Sequence, residues 1–261
     1  MWLLAVVIFA GCKGLTWWRT PAGNAPLWHH VGYLLGWPGL DARSFLKPAQ
    51  QSKTAAPQFA EWFAAIVKLL AGLAILFGLV RMIPTTYLYL AGWVGMIGIV
   101  LVLHFGAFHL LSCAWRAVGV DAKPLMNWPG CSTSLSEFWG QRWNTAFRDL
   151  THRFLFRPLT ARFGPRGAVF AGFVFSGLVH DLVISLPAGG GYGGPTVYFL
   201  LQASGLLAER TAVGKKIGLG RGWRGWLITM TVLAAPAVLL FHPPFVLRVV
   251  NPFLQAIGAF Q

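Results

Sequence analysis

His180 lies in the apolar run FVFSGLVHDLVIS. An ionisable side chain in such a run is costly and marks a candidate site. A neutral imidazole, with an ordinary pKa of about 6.5, can take a proton from a hydroxyl. Apolar surroundings keep it neutral and ready to accept one. Ser176 sits four residues earlier, on the same helix face, and Gly177 permits close approach of a second helix or a substrate chain. Asp181 follows directly, so it points to a different face, toward a neighbouring helix or the membrane interface. Upstream, Ser134 to Asp149 reads SLSEFWGQRWNTAFRD, an aromatic segment that also carries amide and guanidinium groups.

The elements that must hold these residues are membrane helices. Only 11% of the 261 residues are charged, against about 25% in soluble domains. That surplus of apolar residues makes a polytopic membrane protein the expected class. The net charge of +14 is clustered rather than spread. Lys13, Arg19, Arg43, Lys47 and Lys53 precede the first long apolar run; Arg116 to Arg166 and Arg210 to Arg224 fill two polar intervals. Such clustering marks cytoplasmic loops and argues against nucleic-acid binding. Residues 59–82, 86–113, 167–186, 196–209 and 224–242 then alternate across the bilayer, with 187–195 (PAGGGYGGP) as a flexible external loop. The apolar N-terminus reads as an uncleaved span or an interfacial helix, and residues 27–40 as interfacial or re-entrant. The expectation is an all-α transmembrane bundle of about six or seven spans with interfacial helices, forming a single domain over residues 1–261. Cys12, Cys113 and Cys131 have no metal-ligand spacing. His104 and His109, five apart, are expected on different helix faces, as are the adjacent His29 and His30.

The run GVDAKPLMNWPGCSTSLSEFWGQRWNTAFRD at 119–149 resembles the signature of the membrane-bound O-acyltransferase family, wax-synthase branch. There a Gly-Val-Asp segment leads to a Pro and then to Ser-Leu-x-x-Phe-Trp-Gly-x-Arg-Trp, followed by Asn or His; here that position is Asn144. The family's second motif, a histidine in an apolar helix followed by an acidic residue, matches His180–Asp181. The resemblance spans roughly residues 30–245. It implies a transfer of a long-chain acyl group from acyl-CoA to a lipid hydroxyl such as a fatty alcohol, sterol or diacylglycerol. His180 is implied as catalytic base and Asn144 as its partner. No metal, no cofactor and no covalent acyl-enzyme is needed; acyl-CoA is the donor substrate. The chain is shorter than its relatives usually are.

In that setting Trp139 and Trp143, four apart, share a helix face if this interval is helical, either as an aromatic belt at the membrane surface or as the wall of an acyl tunnel. Arg142, Arg148, Arg153 and Arg157 either bind the phosphates of coenzyme A or hold their loop in the cytoplasm. Asn144 has the alternative role of a helix cap. The expected location is multi-pass in a bacterial inner membrane, basic loops inward. Two other functions fit a buried histidine: O-acetylation of an exported glycan, and a transporter or flippase with His180 in a proton relay.

Overall fold

The computed structural model describes residues 2–21, 25–47 and 55–260, so Lys53 lies outside the described residues. Everything regular among them is helical. Among the described residues four helices are long and apolar enough to cross a membrane: α3 (Phe59–Met82), α4 (Thr85–Ala117), α5 (Thr145–Ala188) and α7 (Gly222–Leu240). Shorter helices are α1 (Trp2–Trp18), α2 (Leu27–Gly36) and α6 (Gly194–Glu209). The fold class is therefore an all-α membrane bundle. The chain divides into two compact units, one of Trp2–Met126 with the segment from Asn251, the other of Asn127–Val250.

In the first unit α3 starts at a capping box. Gln58 receives the N3 amide, and Glu61 receives the Gln58 amide. That reciprocal bonding satisfies two of the free amides at a helix start. Glycines let α3 and α4 pack closely: a Cβ on Gly72 would sit 2.8 Å from Val102, and one on Gly98 would sit 2.7 Å from Leu76. Small residues at such contacts let helix backbones approach in a membrane. Arg116, at the end of α4, is 8% exposed and grips both Glu61 carboxylate oxygens at 2.6 and 3.1 Å. Lys13 is also buried; its ammonium donates to the carbonyls of Trp37 (2.7 Å) and Gly39 and lies 3.6 Å from the Tyr33 ring centroid. Two cations counted among the loop charges are thus internal ties.

His104 and His109 correct the expectation of separate faces. Leu101–Ala107 is a π-helical stretch within α4. Its hydrogen bonds close over five residues rather than four, which turns residues five apart toward each other. Both imidazoles line one small cavity, together with Lys68, Phe105, Pro124, Leu125 and Met126. Lys68, an ammonium within the apolar run of α3, thus faces a polar interior.

In the second unit α5 runs through the arginine-rich interval that the charge pattern assigned to a loop. It kinks at Gly164, whose φ of 69° is left-handed, ahead of Pro165. A glycine takes that conformation without a Cβ clash, and the proline removes an amide that the broken turn no longer uses. Beyond the kink α5 packs along α6. A Cβ on Gly177 would lie 2.7 Å from the Thr196 Cα, so this glycine sets the separation of the two helices near His180. Leu135, Leu206 and Leu233 form a core with Phe138, Trp139, Val169 and Phe173 around it.

Candidate active site

The segment 127–145 is fastened at its ends and at its middle. Ser134 caps the short helix Leu135–Glu137, its Oγ accepting from the Glu137 amide at 2.9 Å. The Glu209 carboxylate at the end of α6 accepts from the Leu135 and Ser136 amides at 2.6 and 3.2 Å. An anion at exposed helix amides is stabilised by both hydrogen bonding and the helix dipole. Glu137 accepts from the Thr133 amide at 2.8 Å and from Arg142 Nε at 2.7 Å. Burial raises the Glu137 pKa, but the bonds from Thr133 and Arg142 outweigh it and leave the carboxyl below its usual value. Arg142 further reaches the carbonyls of Asn127 and Trp128 at 3.2 and 3.3 Å. Arg148 is held by Asp149 (2.5 and 2.8 Å) and by the Gly140 carbonyl (2.8 Å). Of the four arginines that either bind phosphates or hold the loop in the cytoplasm, Arg142 and Arg148 are therefore paired with carboxylates of their own segment.

Trp139 and Trp143 do not share a helix face. Phe138–Arg142 is π-helical, the Trp143 amide bonds the Phe138 carbonyl at 2.9 Å, and the chain then turns extended at Trp143. Trp143 stacks on Phe138 with centroids 5.5 Å apart. Trp139 instead packs on Phe173 and Phe199, both at 5.7 Å, and its indole N–H donates to the buried Gln202 at 3.4 Å. Asn144 has φ 42°, one of two described non-glycine residues with positive φ, and it caps Thr145–Thr151. Its Oδ1 accepts from the Phe147 amide at 3.4 Å. Asparagine is among the few residues that visit the left-handed region readily.

His180 ends the regular part of α5 and is half-buried. Its Nδ1 lies 2.7 Å from the Ser176 carbonyl oxygen. A carbonyl only accepts, so Nδ1 carries the hydrogen and Nε2 keeps its lone pair. That is the tautomer a general base needs. Phe199 packs against the imidazole at 4.5 Å. Phe199 also touches Trp139, so the signature segment and the His180 helix meet on one aromatic side chain. The described contacts of His180 and of Asn144 otherwise run to different groups.

Asp181 faces away from His180, toward α6, as its place in the sequence requires. One carboxylate oxygen accepts from Ser185 Oγ and the Gly193 amide, both at 2.9 Å; the other accepts from the Thr196 amide at 3.1 Å and from the Thr196 hydroxyl. His242, which the sequence reading passed over, completes this network. The Phe245 amide donates to its Nδ1 at 3.2 Å, so its hydrogen is on Nε2, 3.1 Å from Ser185 Oγ. Burial holds the His242 pKa below its usual value, with the Asp181 charge pulling the other way. Asp181, His242 and Ser185 have the composition of a hydrolase triad but the wrong order. The carboxylate bonds the serine rather than the imidazole, and the imidazole presents its N–H to the hydroxyl, so no ring nitrogen is placed to take the serine proton. The network positions the turn after His180. It also pins residues 189–193, with Arg248 adding bonds to the Ala188 and Gly189 carbonyls at 3.1 and 3.2 Å. The loop expected to be flexible is tied from several sides. No sequence periodicity announces His242; the available signal is its place before two prolines in HPPF, since proline favours the first turn of a helix.

Residues 122–201 match the sequence profile of the Membrane bound O-acyl transferase family, a stretch that includes Asn144 and His180. That region of the chain is similar to the family. The chain is 27% identical over 147 residues to "Probable long-chain-alcohol O-fatty-acyltransferase 7" of Arabidopsis thaliana, covering 49% of this chain and 42% of the relative. It is 29% identical over 147 residues to Acyl-CoA--sterol O-acyltransferase 1 of the same plant, covering 51% and 42%. Against the Long-chain-alcohol O-fatty-acyltransferase of Simmondsia chinensis it is 35% identical over 77 residues, covering 26% and 22%. These matches thus span less than half the length of each curated relative. No solved structure matches the chain significantly.

Proposed function

We propose that this protein is a membrane O-acyltransferase that moves a long-chain acyl group from acyl-CoA to a lipid hydroxyl, with His180 as general base. The observation that carries this reading is the His180 tautomer: Nδ1–H is committed to the Ser176 carbonyl, which leaves Nε2 as an acceptor inside the family-matched region. In the reaction Nε2 takes the hydroxyl proton as the oxygen attacks the thioester carbonyl. The tetrahedral intermediate collapses, the carbon–sulfur bond breaks, and the imidazolium returns the proton to the departing thiolate. The Asn144 amide donates to the developing oxyanion. Trp139, Phe173 and Phe199 line an apolar wall that suits an acyl chain and excludes water.

The names of the relatives, which specify long-chain alcohols and a sterol, support a lipid acceptor. Arg153 and Arg157, exposed on α5, are the arginines best placed to meet coenzyme A phosphates; Arg142 and Arg148 contribute in this reading by shaping the segment beside them. The two units act as one acyltransferase domain. An integral membrane location follows from the four long apolar helices. The relatives are plant proteins and lend no support to a bacterial inner membrane. The test is direct: membranes containing the chain, given labelled long-chain acyl-CoA and a fatty alcohol or sterol, should form labelled ester. Thioester turnover without ester, or no turnover with either acceptor, sinks the reading.

A further inference from the structure

A second group of chemically active side chains lies in the first unit, which contains neither Asn144 nor His180. Ligand atoms of Glu61, His109 and Cys113 all lie within 4.8 Å of one another. Glu61 belongs to α3, and His109 and Cys113 to α4. The spacing of His109 and Cys113, four residues on one helix, puts both donors on the same face. Cys113 is fully buried and carries no disulfide.

We propose that Glu61, His109 and Cys113 form a binding site for one zinc-class divalent ion that ties α3 to α4. The donor set decides the metal. Thiolate sulfur and imidazole nitrogen favour zinc over magnesium or calcium, which take oxygen ligands. Zinc bonds of about 2.0–2.3 Å require donors roughly 3.3–3.7 Å apart. The His109 and Cys113 side chains, which carry no cap or ion pair among the described residues, are the ones that would turn toward Glu61 to close the remaining distance.

Arg116 does not close this site. Its two bonds and the one from the Gln58 amide take three of the carboxylate's roughly four lone-pair positions, which leaves one on Oε2 for the ion. It acts instead as the outer partner that orients a ligating carboxylate. The ion binds as Cys113 releases its thiol proton to solvent and His109 supplies a neutral ring nitrogen. One thiolate and one carboxylate then balance the two charges of zinc. The fourth position goes to water: His109 also lines the cavity of about 10 Å³ beside Lys68 and His104, which has room for a single molecule.

The test uses the full chain in detergent micelles and needs no acyl transfer. Cobalt(II), the spectroscopic stand-in for zinc, should bind at one ion per chain with a thiolate-to-cobalt charge-transfer band. Cys113→Ser should remove that band, and His109→Gln should weaken binding about tenfold or more; Cys131→Ser should change neither. A second measurement uses the unaltered chain: zinc should slow alkylation of Cys113, read by mass spectrometry, and leave Cys131 unaffected. Absence of the band in the wild type, its survival in Cys113→Ser, or equal alkylation of Cys113 with and without zinc overturns the proposal.

Discussion

A single carbonyl oxygen, that of Ser176, sets the chemistry open to His180 by holding the hydrogen on Nδ1. The prediction is that His180→Ala reaches the membrane and loses ester formation by about 100- to 10,000-fold, the range for a missing general base. Retention of more than about a tenth of the activity in a folded variant would withdraw the base assignment. Asn144 needs a finer probe, because the residue both caps a helix and sits at φ 42°. Replacing it with alanine removes the cap, at about 0.5–2 kcal/mol, and adds left-handed strain, so lost activity would not separate the roles. Asn144→Asp keeps the capping oxygen and tolerates the backbone, yet removes the Nδ2 donor. It should melt near the wild type while turnover falls about 100-fold, with little change in the KM for acyl-CoA. Full activity in Asn144→Asp would reduce Asn144 to a cap.

At the scale of elements, the turn after His180 depends on one carboxylate. Asp181 receives four hydrogen bonds, from Ser185, Gly193 and twice from Thr196. Asp181→Ala strands those donors, at about 1–3 kcal/mol for each one left buried. Thermal melting should show the loss, and activity should fall with it. A variant that melts like the wild type but fails to turn over would instead make Asp181 a catalytic residue. Glu137 gives a pH-dependent prediction for the signature segment. Its folded pKa is lowered by bonds from Thr133 and Arg142 against the effect of burial. The unfolded chain therefore takes up the proton first as pH falls. The stabilisation is present above the unfolded value of about 4.3 and is lost as pH drops through the folded one. Melting curves of wild type and Glu137→Gln should converge across that window; a constant gap would contradict the assignment. How much of this was legible follows from periodicity. The His180 helix, its glycine contact and the outward turn of Asp181 follow from a 3.6-residue repeat, and the sequence shows them. The Trp139–Trp143 pair departs from that repeat because the chain turns extended at Trp143, and the His104–His109 pair because a π-helical stretch replaces it locally. His242 stayed hidden because it is brought to Ser185 by packing across 57 residues.

For the whole molecule, the membrane orientation rests on α6. This helix has 16 residues, about 24 Å at 1.5 Å per residue, against a hydrocarbon core of about 30 Å. Alone it is short for a span. Two features argue that it crosses. Its N-terminus is capped from α5 by Asp181, in an uncharged glycine loop. Its C-terminus opens into Arg210, Lys215, Lys216, Arg221 and Arg224, all exposed, where a positive loop belongs in the cytoplasm. A helix shorter than the bilayer is accommodated by local thinning at modest cost. The expected outcome is that Tyr192 and Lys215 lie on opposite sides. Tyr192→Cys and Lys215→Cys, each placed in a chain lacking Cys12, Cys113 and Cys131, should react differently with an impermeant thiol reagent applied to intact cells. The cysteine at position 192, an exposed site, should label from outside. That at 215 should label only after permeabilisation. Labelling of both from the same side would show that α6 does not span. The reverse pattern would keep the span and invert the orientation, placing the basic loops outside and the entry of an acyl-CoA donor with them.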